Sequence, residues 1–173
     1  MNHESLPQRL LRGARHLASG PWVVRNHFPS GALDRIEAVV ADGEQKHSAE
    51  IRIVIEGSLS FSEVVWQNRQ PRERALDLFA DLHVWDTESN NGILIYLLLA
   101  DRDVELVADR GANSSLPSGI WDQAVAIVRE SCQAGKFESG VVNAVQFLNE
   151  ALVSAFPAEG RNPDELPNRP AVI

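Results

Sequence analysis

Asp101-Arg102-Asp103 follows a long apolar run and sets two carboxylates two residues apart. At the end of a buried strand, that spacing suits aspartyl phosphoryl transfer: one carboxylate attacks phosphorus, the other handles the proton, and a metal-bound phosphate meets both. The chain departs from that template at Glu105, where those enzymes carry Thr or Val, and in running on into a second strand. Aspartate also favours turns for local reasons alone. As a cation site, Asp101, Asp103 and Asp109 are the first choice, because a tight turn gathers carboxylate oxygens cheaply and several oxygens suit a hard ion such as calcium. Asp86, Glu88 and Asn90, in the loop before the apolar run, are the second choice. His83 lies near Asp81 and Asp86 and offers a weaker ligand set, more simply read as a helix end.

Other templates fail on a residue or a spacing. Cys132 has Glu138 six positions on, where a cysteine phosphatase loop needs Arg, and it has no companions for a zinc site. The sequence has no phosphate-binding Gly-rich loop, no HExxH and no Gly-x-Ser-x-Gly.

These residues are positioned by elements that the apolar pattern predicts. Residues 92–100 are apolar for longer than a half-exposed strand would be, so they read as a central strand covered on both faces, with a hairpin near 101–103 into a second strand at 104–108. Residues 50–56 alternate, with Ile51, Ile53 and Ile55 on one face, as suits a strand nearer the sheet edge. Ser30 is placed to cap a helix carrying Leu33, Ile36, Val39 and Val40, with Lys46 and His47 at its C-terminal end. Pro71 opens a helix carrying Ala75, Leu78, Phe79 and Leu82, and the strand-helix-strand order makes the two flanking strands parallel. Two more helices follow, one on Ile120, Trp121, Ala124 and Val128 ending near Gly135, the other from Phe137 to Phe156. Residues 22–29 and 113–119 read as irregular, and residues 61–66 as a helical turn. The chain divides into an N-terminal amphipathic helix (1–20), an α/β domain (30–157) and a Pro-rich tail (158–173). In the first part, Leu6, Leu10, Leu11, Ala14, Leu17 and Ala18 recur at helical spacing with Arg9, Arg12 and Arg15 elsewhere on the turn.

The order of these elements resembles the TPM domain family, named for a thylakoid lumen protein, a photosystem II repair protein and a nematode receptor modulator. The likeness rests on Asn90-Asn91-Gly92 before an apolar strand, on Asp101-Arg102 and the second strand, on the helix around Trp121, and on residues 136–140 before a long helix ending in Phe156-Pro157. It spans roughly residues 30–157. The resemblance implies a three-layer α/β/α sandwich on a small mixed sheet. It also implies divalent-cation sites in acidic loops of some members, and acid phosphatase activity in one branch. The sequence departs from the longer members where 23–29 replaces an Asp-rich segment, and no secretory signal or anchor is expected from its first residues.

Sixteen basic against twenty-four acidic residues, a net charge of −8, speak against a grip on nucleic acid, and no apolar run is long enough to span a membrane. The expectation is a soluble, cytoplasmic TPM-like domain acting as an accessory or interaction protein with a protein partner and a hard divalent cation such as calcium. The alternative is a metal-dependent acid phosphatase-like hydrolase. The accessory reading expects exposed apolar or aromatic surface at the N-terminal helix, Trp22 or Trp66.

Overall fold

A computed structural model describes residues 4–20, 22–158 and 163–173. Pro21 of the expected Gly20-Pro21 break and residues 159–162 of the tail lie outside the described residues.

The apolar run forms a strand, Ile93–Leu98 (β2), with every residue buried. Ile51–Glu56 (β1) runs parallel to it, Ile51 opposite Ile93. Asp103–Ala108 (β3) returns antiparallel, Leu98 opposite Asp103, so the turn occupies 99–102. A fourth strand, Ala171–Val172 (β4), pairs parallel to β1 on its other side and gives the order β3-β2-β1-β4.

Side-chain alternation divides the core into two. Ile51, Ile53, Ile55, Ile93, Ile95 and Leu97 pack with helices Ala32–Glu44 (α3), Gly119–Gln133 (α7) and Phe137–Ala155 (α8). On the other face Val54, Leu94, Tyr96, Leu98 and Val107 meet Val64 of Phe61–Val65 (α4), Ala75 and Leu78 of Pro71–Asp81 (α5), and Leu166 of the tail. Helices on both faces of a mixed sheet make the expected three-layer α/β/α sandwich.

Several expectations need correction. β1 is an inner strand, because the C-terminal segment covers the edge that its alternation left to solvent. Its polar residues are buried with partners: Arg52 donates to the carbonyls of Pro167 and Arg169 at 2.7 and 2.6 Å, and Glu56 takes Arg74 and the Tyr96 hydroxyl. The helix cap is Gly31, left-handed at φ 79°, in place of Ser30, and α3 stops at Glu44, short of Lys46 and His47. Two segments read as irregular or loop contain short helices, Trp22–His27 (α2) and Arg110–Ser115 (α6). Gly92 is needed for space: a Cβ there would lie 1.9 Å from the Val84 carbonyl oxygen.

The first helix, Leu6–Ala18 (α1), forms where the apolar spacing places it, but faces the opposite way from an ordinary amphipathic helix. Its buried residues are Arg12, Gly13 and His16. Leu6, Leu10, Leu11 and Leu17 are exposed, the last two at 69% each. Gly13 lets α1 lie close on α4, since a Cβ there would sit 2.7 Å from Val65 Cγ2.

Candidate functional site

Asp101 stands in the hairpin turn at the C-terminal ends of β1 and β2, the end where open α/β sheets bind ligands. In this chain α1 reaches it first. Arg12 donates from Nε and a terminal nitrogen to Asp101 Oδ2 at 2.8 and 2.6 Å, and its other terminal nitrogen donates to the Arg69 carbonyl. His16 Nδ1 accepts the Leu59 N–H, so Nε2 carries the proton and faces Asp101 Oδ1 at 3.1 Å. Arg15 approaches the same oxygen at 3.3 Å. Burial works against the Asp101 carboxylate, but the hydrogen bonds from His16 and Arg12 outweigh it and hold its pKa down to about 2. Both oxygens are therefore committed to cationic donors, and a metal ion would have to displace guanidinium groups to reach them. Asp103, which opens β3 just after the turn, accepts from the Val104 N–H and lies 3.3 Å from Arg129.

Asp109 is at the far end of β3, roughly 20 Å from Asp103 at the usual strand rise. It caps α6 through the Arg110 N–H, and the Gly111 N–H donates to the Asn90 carbonyl, so Asp109 belongs beside the 86–90 loop rather than with the turn. A shallow cleft there is lined by Trp85, Asn90, Asp109, Arg110 and Ser114. Asp86, Glu88 and Asn90 are exposed; the Glu88 N–H is held by the Glu165 carboxylate. The two candidate sets thus occupy opposite ends of the sheet, with Asp109 at the second.

A third carboxylate group lies at the N-terminal end of β1, formed by Glu44, Glu50 and Asp164, and it could hold a metal ion. Glu44 ends α3, Glu50 precedes β1, and Asp164 comes from the C-terminal segment. This set was missed because Asp164 is 114 positions from Glu50. One signal was available: an acidic residue at a helix C-terminus opposes the macrodipole and needs a reason to be there. Cys132 is half-buried, and burial pushes its thiol up to about 11, which disfavours the thiolate at neutral pH. His83 is exposed with left-handed backbone, φ 53°, next to Trp85.

The sequence model of a family described as the TPM domain matches residues 26–151. Among solved structures, the chain is similar to the NMR structure of the BA42 protein from the psychrophilic bacterium Bizionia argentinensis. The two are 26% identical, the TM-score is 0.74, and the match covers 84% of this chain and 94% of that one. No curated protein matches.

Proposed function

The chain belongs to the TPM domain family, and from that premise we propose that it is an accessory protein whose outward α1 face docks on another protein. The observation that carries this reading is the inverted helix. α1 spends Arg12 and His16 on Asp101 and leaves Leu6, Leu10, Leu11 and Leu17 in solvent, with Trp22 and Trp66 exposed as well. Burying leucine is worth about 1.5 to 3 kcal/mol per side chain, so a single domain gains little by ordering a helix this way round. The fitting partner has an apolar groove with an acidic rim, because no acidic residue lies between Glu4 and Asp34 while Arg15 and Arg25 are exposed there.

The hydrolase alternative draws less support. It requires carboxylates that converge in a cleft with room for a metal-bound phosphate, and Asp101 is closed by two arginines and a histidine. Hydrolysis of an activated aryl phosphate in the presence of calcium, magnesium or manganese, lost in Asp101→Asn, would overturn the accessory reading.

A photo-crosslinker placed at Leu11 or Leu17, with the protein at natural abundance in its own cells, tests docking. The expected result is one discrete protein adduct, absent when the crosslinker is moved to exposed Glu130 and weakened by Arg15→Glu. Adducts only to a second copy of the chain, only to lipid, or none at all, would contradict the proposal.

A further inference from the structure

We infer that Glu44, Glu50 and Asp164 bind one hard divalent cation, calcium in the first instance, which clasps the C-terminal segment onto the N-terminal end of β1. One oxygen from each residue lies within 4.8 Å of the others. Two oxygens on one calcium, at about 2.4 Å each, lie at most about 5 Å apart, so the three can share an ion.

A second observation sets this group apart from the acidic surface. Glu50 is fully buried, at 0% exposure. Its Oε2 accepts the Leu166 N–H at 3.1 Å, whereas Oε1 has no hydrogen-bond partner among the described residues. A buried carboxylate oxygen left in that state is costly, and a cation is the ligand that would satisfy it. Glu44, also buried, accepts the Ile51 N–H through Oε1, and this fixes its carboxylate beside the start of β1. It closes α3, whose negative dipole end favours a positive charge nearby. Exposed Asp164 leaves the third side open, where waters can complete a calcium shell. Burial, reinforced by the neighbouring carboxylates, raises Glu44 to about 8 and Glu50 to about 7, so the proton is the competing occupant.

The donors are oxygens alone, which favours calcium or manganese over zinc. His47, three positions before Glu50, turns its Nε2 to Asn149 Oδ1 at 3.0 Å. The structural consequence lies in the tail. The segment carrying Asp164 also supplies Leu166 to the second core cluster, the carbonyls that hold Arg52, and strand β4. An ion bridging Asp164 to Glu44 and Glu50 fastens that segment at its start. The inference is independent of the docking role of α1, which lies at the other end of the sheet.

Calorimetric titration of the chelator-stripped full chain with calcium chloride is the test. One site per chain is expected, in roughly the high-micromolar to millimolar range typical of sites not held rigid beforehand. At a hundredfold excess over the dissociation constant the thermal midpoint rises by roughly 5 °C. Asp164→Asn, on the surface and so without risk to folding, weakens binding at least about tenfold, and Glu50→Gln abolishes it. Proteolysis within 163–173 is faster in chelator than in calcium. No uptake of calcium or manganese, or equal uptake by both variants, overturns the site. A Glu50→Gln chain that melts higher than a wild type indifferent to calcium assigns the cluster to a shared proton. Equal cleavage with and without bound calcium overturns the clasp.

Discussion

Asp101 shares its two oxygens among Arg12, Arg15 and His16, and this sets how it responds to acid. Its folded pKa of about 2 lies below the ordinary 3.8, so the stabilisation is complete above about pH 4 and is lost as pH falls through 2. The contribution is roughly 2 kcal/mol. Asp101→Asn leaves the buried Arg12 guanidinium only the longer contact to the Glu4 carboxylate at 3.7 Å, and about 3 kcal/mol of stability is expected to go at pH 7. Urea unfolding of wild type and variant at pH 7 and pH 2.5 checks this: the gap narrows in acid, and a gap that stays constant would mean the carboxylate charge is not what Arg12 needs. The sequence put carboxylates at the turn correctly but could not show their partners, since Arg12 and Asp101 are 89 positions apart. For the same reason Glu44 and Glu50 stayed hidden until the fold brought Asp164 to them.

Elements with a full apolar period were legible, and those held by partners were not. α3, α5, α7 and α8 have two or more turns of buried stripe, and β2 has an unbroken run. Leu98 lies at 0% exposure in that run, and Leu98→Ala is expected to cost about 2 to 5 kcal/mol by denaturant unfolding. A loss below about 0.5 kcal/mol would place β2 outside the core. By contrast α2 and α6 are six residues each, too short to show a period. β4 is two residues whose strand character comes from pairing with β1. α1 was visible as a helix, yet its facing was not, because spacing tells which residues share a side and not which side is buried. Its contacts with Asp101, Leu59 and Val65 make it part of the domain. Removing residues 1–20 should therefore lower the thermal midpoint by roughly 10 °C or more, or abolish cooperative unfolding; an unchanged midpoint in scanning calorimetry would show α1 to be an appendage.

Across the whole molecule, charge and apolar surface are segregated. The chain carries −8 overall, yet the stretch between Glu4 and Asp34 has four arginines and no acid. That stretch closes the C-terminal end of the sheet with its polar side and shows leucines outward, while the acidic cluster lies at the opposite end, from which the C-terminal segment runs back along β1. Among the described residues no helix is long and apolar enough to cross a membrane. Periodicity and strand order led to the helices and the parallel pair, the family resemblance implied the sandwich, and the family match over 26–151 agrees with that resemblance. The use of α1 did not follow from the pattern, since a leucine stripe ordinarily means burial. The central claim is that this helix is inside out, and chemical denaturation of two variants tests it most directly. Leu11→Glu with Leu17→Glu should leave the unfolding free energy within about 0.5 kcal/mol of wild type, while Arg12→Leu lowers it by about 3 to 5 kcal/mol. The reverse order, with the double glutamate variant unfolded and Arg12→Leu unharmed, would mean that the leucines face the core and would contradict the account.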